Sequence, residues 1–294
     1  MTPMTPARPG RFAAGPLVID LLLALAVALV LATTVRGEPP RTGLATSENF
    51  TIWADSQPEA VVLLERAEAW RRQIACEWLG EPLPDGAGRT SLNVQVASRD
   101  AAHAWLAGGS LDAAHLVWLR TTREKLDSAL AHEIAHIVLA TRFRELPAFA
   151  QEGVAGRYDD DERHALRRRR LAEFVRSGRW PRLHDVLRAE RIAPSDRDGY
   201  ATSVSLTQFL LLPTDRGDAA AARTLLLFAD EGRRTGRWDQ AVFRHYGFSS
   251  VAAMEREWQE FVVRSARQPP ALVDRTAASP PGVNAGPERF PEGP

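Results

Sequence analysis

His132-Glu133-Ile134-Ala135-His136 places two imidazoles and a carboxylate within five consecutive residues. On a helix, residues i and i+4 lie one turn apart on one face, so both rings can point at a single ion. Zinc accepts neutral imidazole nitrogen and favours four-coordinate sites. The glutamate beside the first histidine suits the general base of a metal-assisted hydrolysis. A catalytic zinc keeps three protein ligands and one open position, so a third ligand must come from elsewhere in the chain.

The segment around the pair has the composition of a buried helix. Over Leu126–Arg142, apolar residues recur at Leu126, Leu130, Ile134, Ile137 and Val138, the spacing of one helical face. Thr121 or Thr122 can cap its start, and Arg142 and Arg144 place positive charge near its end. Two histidines and a glutamate on such a helix need partners, because desolvating them unpaired costs free energy. A metal ion supplies the partner.

In metzincins the third ligand is a histidine six residues beyond the second, with an intervening glycine. Arg142 and Leu139 stand at those positions, which excludes that class. Downstream lies Leu146-Pro147-Ala148-Phe149-Ala150-Gln151-Glu152-Gly153-Val154-Ala155. Pro147 fits the first turn of a new helix, with Glu152 about a turn and a half inside it. Gly153 would let another backbone come close, and Glu145, in the connecting loop, is the rival ligand.

HEIAH at 132–136 together with LPAFAQEGVA at 146–155 resembles the peptidase MA-like domains of gluzincin type, the group that includes thermolysin. Tyr200–Leu206 looks like the tyrosine-bearing helix start that often follows in them. The resemblance spans about Phe50 to Val263. It implies one Zn²⁺ per chain held by His132, His136 and Glu152, with Glu133 activating a zinc-bound water to hydrolyse a peptide bond. Tyr200 is then the candidate donor to the oxyanion, with His184 and His245 as rivals. Two positions depart from the group's pattern. Phe149 stands where tryptophan is usual. Gly156 stands where relatives often place an acid that hydrogen-bonds a zinc-bound histidine, and Asp159 is the acid at hand to replace it.

The implied fold is α+β, with a small N-terminal strand-rich subdomain followed by a mainly helical zincin-like subdomain containing the HExxH helix. Strands are expected at Phe50–Ala54, Ser91–Ala97 and His115–Arg120; if the last is an edge beside the zinc, as chain order and the resemblance imply, an extended peptide could add to it. Helices are expected at Pro58–Leu79, Ala101–Ala107, Asp161–Ser177, His184–Glu190, Ala201–Leu212, Ala219–Arg234, Gln240–Tyr246 and Val251–Ala266. In the first of these, Val61, Leu64, Ala67 and Trp70 form the apolar face. Arg167–Arg170 reads as the solvated side of a helix, with a basic docking patch as the alternative.

Residues 1–37 read as a signal peptide or N-terminal membrane anchor. Arg8 and Arg11 precede an apolar run of 12 residues, Leu21–Ala32, and Val30-Leu31-Ala32 offers a cleavage site. The zinc domain is therefore expected outside the cytoplasm, either anchored or released. Residues 38–47 read as a linker, 48–266 as the peptidase domain, and 267–294 as a disordered Pro/Gly-rich tail. Zero net charge gives no general attraction to nucleic acid, so the expected partner is a peptide or protein substrate, and the membrane if the leader is uncleaved. Cys76 is the only cysteine, which excludes an intramolecular disulfide, and it falls in an apolar stretch that reads as core. The alternative function is a non-catalytic zinc-binding scaffold or sensor of the same fold, which would have no need of Glu133.

Overall fold

The computed structural model describes residues 42–97, 106–107, 115–212 and 218–267. The leader 1–37 and the tail from 268 lie outside the described residues, as does most of the helix expected at Ala101–Ala107. Among the described residues, no helix is long and apolar enough to cross a membrane.

The architecture is α+β, a small sheet followed by helices. The strands are β1 (Gly43–Thr46), β2 (Phe50–Ala54), β3 (Thr90–Val96), β4 (Leu106–Ala107) and β5 (His115–Thr121), in the spatial order β1-β2-β3-β5-β4. β2, β3 and β5 run parallel, and the two outer strands are antiparallel to their neighbours. Residues 43–46, expected in the linker, form β1, with Leu44 opposite Trp53. Leu106 and Ala107 are strand rather than helix and pair with Val117 and Leu116. β5 is therefore not the edge. It carries β4 on its outer side, and β4 is the border strand.

Alternation sends Phe50, Ile52, Ala54, Leu92, Val94, Val117 and Leu119 to one buried face. Helix α1 (Gln57–Leu79) covers that face. Ser56 caps it by accepting from the Glu59 N–H, and Gly80 closes it in the left-handed conformation at φ 84°. Its inner face is Leu63, Ala67, Trp70, Ile74 and Trp78, while Val61 is exposed. The apolar face is thus rotated from the expected one. Cys76 also turns outward, two residues before the buried Trp78, and is exposed rather than core.

Helix α2 (Leu126–Arg142) carries the histidine pair and packs against α1, where Trp70 Nε1 donates to Asp127 Oδ1 at 3.2 Å. A 3-10 turn at Arg123–Lys125 precedes it, so Thr122 begins that turn and makes no side-chain cap. Pro147 caps the short α3 (Ala148–Ala155), which ends in a second 3-10 turn, Gly156–Tyr158. Then come α4 (Asp161–Ser177), α5 (Leu183–Arg188), α6 (Arg197–Leu210), α7 (Asp218–Thr235), α8 (Trp238–Tyr246) and α9 (Val251–Ala266). α6 packs across α3 at close range, and α4 packs against α6. α6 begins four residues before the expected Ala201, so Tyr200 lies within its first turn.

Candidate metal centre

One turn of α2 separates His132 from His136, and their Nε2 atoms lie 3.3 Å apart. α3 brings Glu152 to the same point. Its Oε2 is 3.8 Å from His132 Nε2, and its Oε1 is 3.8 Å from His136 Nε2. One donor atom from each of the three residues falls within 4.8 Å of the others, so together they could hold a metal ion. Glu145 does not join them. It is exposed and reaches Arg233 at 4.0 Å.

Burial holds the His132 imidazole below its ordinary pKa, with Arg163 and Arg167 acting in the same sense against Glu133 and Glu152. The neutral ring is thereby favoured, which is the form that donates a lone pair to a metal. Its far nitrogen, Nδ1, lies 3.1 Å from Asp159 Oδ1, without the alignment of a straight hydrogen bond. The Asp159 side chain is only 1% exposed and is gripped by Arg163 at 2.8 Å and by Arg167. Arg167 also donates to the Gly156 carbonyl at 3.1 Å.

The departure at Gly156 and the use of Asp159 in its place have one cause. A Cβ at Gly156 would lie 2.5 Å from Val204 Cγ2 of α6, so no acid fits there. The carboxylate comes from three residues further on, after the 3-10 turn. That turn is pinned by Tyr158, whose hydroxyl accepts from Trp78 Nε1 at 2.9 Å and donates to Glu77 Oε2 at 2.8 Å. The C-terminal end of α1 thus fixes the residue adjoining Asp159. Gly153 does a comparable job on α3. A Cβ there would lie 2.7 Å from the Ser203 carbonyl oxygen and 2.1 Å from Thr207 Oγ1. Glycine alone admits this approach of α6, whose first turn carries Tyr200.

His132, Glu133, His136, Glu152 and Tyr200 all border one cleft of about 750 Å³. The Tyr200 phenol is pushed up to about 12, first by burial and then by Glu152, so it stays a neutral donor. His184 and His245 are not among the described residues lining the cleft. His184 lies near Asp185, and His245 meets Glu231 at 3.0 Å. Sequence reasoning named Arg167–Arg170 as a solvated face, with a docking patch as the alternative, and did not name Arg163. Arg163, Arg167 and Arg170 line the cleft on the inner side of α4, so the basic run is not a purely solvated face. The signal was present in the 163, 167, 170 spacing, which puts three cations on one face.

No protein-family profile and no curated protein matches the chain. Among solved structures, an M1 zinc metallopeptidase from Deinococcus radiodurans aligns at 18% identity and a TM-score of 0.37, covering 79% of this chain and 53% of that one. A mutant form of an M1 zinc metallopeptidase from the same organism aligns at 17% identity and a TM-score of 0.38, covering 80% and 53%. The chain spans about half the length of the solved structures it resembles.

Proposed function

We propose that this chain is a zinc-dependent peptidase of the HExxH…E type, working outside the cytoplasm behind its N-terminal leader. The observation that carries the reading is the placement of three donors of the right chemistry. Two nitrogens bound to tetrahedral zinc at about 2.0–2.1 Å lie about 3.3 Å apart. His132 Nε2 and His136 Nε2 are 3.3 Å apart, and Glu152 offers an oxygen to each at 3.8 Å. Two imidazoles and one carboxylate leave the fourth position of the tetrahedron to the cleft.

Zinc bound there would polarise the scissile carbonyl and lower the pKa of water to about 7. Glu133, beside the ligands in the cleft, takes the proton from the attacking water and returns it to the departing amine. Tyr200 donates its phenolic hydrogen to the developing oxyanion, a role for which a neutral phenol is suited. Asp159, 3.1 Å from His132 Nδ1, is the carboxylate placed to favour the tautomer that keeps Nε2 free for the metal once the ring turns to meet it.

The test uses metal content and turnover together. His132→Ala, His136→Ala and Glu152→Ala each lower zinc below about one per chain, and Glu145→Ala does not. Glu133→Gln keeps the zinc and loses hydrolysis by at least about a hundredfold, the scale of general-base removal. A chain that holds zinc but cleaves none of a diverse set of peptides would refute the peptidase reading and leave a metal-binding scaffold.

A further inference from the structure

α4 and the first turn of α6 supply part of the cleft lining, and that part is rich in arginine. Five arginines border the cleft, alongside four carboxylates. Each of the four carboxylates has a partner or an assigned role. Glu152 sits with the histidines, and Glu133 is the base of the proposed reaction. Asp159 is held by Arg163 and Arg167, and Glu173 pairs with Arg170, which also grips Asp198. Arg169 and Arg197 are left. Both are exposed and line the cleft, and neither has an acidic partner among the described residues. Arg197 lies three residues before Tyr200 on the same helix, so the two share a face at a rise of about 4.5 Å along the axis. Leu166, Leu119 and Pro194 give the same cleft apolar surface for the rest of a chain.

A cleft whose acids are all engaged has nothing left to anchor an ammonium, whereas two guanidiniums stand ready for an anion. Arginine presents paired N–H donors that match a carboxylate. We infer that Arg169 and Arg197 select peptides bearing a carboxylate near the scissile bond, supplied by an acidic side chain or by the chain's own C-terminus. This rests on the peptidase reading above.

Four peptides test it: one sequence with Glu or with Gln beside the cleavage site, each as C-terminal acid and as amide. The wild-type zinc enzyme should show a higher kcat/KM for an anionic peptide than for the neutral Gln amide. The Glu/Gln contrast and the acid/amide contrast report separately which carboxylate is read. In Arg169→Gln/Arg197→Gln, the anionic-to-neutral ratio should fall about three- to tenfold, the scale of two solvent-exposed ion pairs. Raising ionic strength should compress the wild-type ratio in the same direction. Fluorescence anisotropy of the same peptides on zinc-loaded Glu133→Gln should give the same ordering of affinities without turnover. Equal kcat/KM for all four peptides, or a preference that survives the double variant, overturns the inference and leaves the peptidase reading standing. Absence of turnover with every peptide overturns the peptidase reading instead, and the anisotropy ordering then decides whether the cleft selects anions.

Discussion

Asp159→Asn isolates the part of the metal centre that lies behind the ligands. The substitution keeps the size of a side chain that is 1% exposed and removes its charge. Three groups lose their counterpart. His132 Nδ1 loses the carboxylate that lies 3.1 Å away, and an asparagine can present an N–H to it instead. Arg163, at 2.8 Å, is about a third exposed and can turn to water. Arg167 is only 12% exposed and keeps one bond, to the Gly156 carbonyl. Replacing such a partner of a metal-bound histidine costs about 10- to 100-fold in metal affinity, or about 1.4–2.8 kcal/mol. The buried Arg167 adds a metal-independent loss of about 1–3 kcal/mol in folding stability, the range for a polar group left short of partners. The two effects separate experimentally. Competition against a chromophoric chelator reads zinc affinity, and thermal unfolding of the metal-free protein reads the arginine contribution. Gly156→Asp added to Asp159→Asn should not restore affinity, because Val204 occupies the space where the new side chain would begin. An Asp159→Asn protein whose zinc affinity stays within twofold of wild type would refute the orienting role of Asp159.

Gly153→Ala drives a methyl group toward the Ser203 carbonyl and Thr207. It should cost about 1–3 kcal/mol in thermal stability and slow turnover by displacing Tyr200, with zinc still bound; a variant as stable and active as wild type would show that α6 can yield. Burial raises the phenols of all three tyrosines, Tyr158, Tyr200 and Tyr246, and Tyr200 reaches about 12. A folded pKa above the unfolded value of about 10 means the contribution to stability is full below pH 10 and is lost as pH rises through the folded values. Ultraviolet absorbance should therefore show no tyrosinate near pH 10 while the fold is intact, and ionisation at pH 10 in the native protein would contradict the burial. A reporter that is active only outside the cytoplasm, fused after residue 268, should be active, and its silence would count against export.

The histidine helix was legible because its information is local. Leu126–Arg142 is observed with the expected bounds, as are Asp161–Ser177, Val251–Ala266 and Phe50–Ala54. Glu152 and Gly153 were legible for the same reason, since a helix start at Pro147 fixes which way each points. What the chain hides is which side of an element faces the protein. Val61 and Ile74 are both apolar, and only the sheet beneath α1 decides that Val61 is exposed and Ile74 buried. Arg163, Arg167 and Arg170 have the spacing of a wet helix face, and only the position of α6 turns that face into a cleft wall. Four residues of Gly-Leu-Ala-Thr read as linker until β2 supplies their hydrogen-bond partners.

The candidate metal ligands His132, His136 and Glu152 lie on two helices joined by a short connection, and Asp159 follows just after the 3-10 turn that ends the second. Tyr200 and the arginine wall arrive from later in the chain. Contacts between residues close in sequence cost little loop-closure entropy and form early. Ion capture can thus precede completion of the cleft during synthesis and refolding. For the peptidase proposed above, the same division offers evolution two separable dials, since changes at Arg169, Arg197 or Tyr200, away from the arginines that hold Asp159, would retune what is cut while leaving the ion's ligands in place.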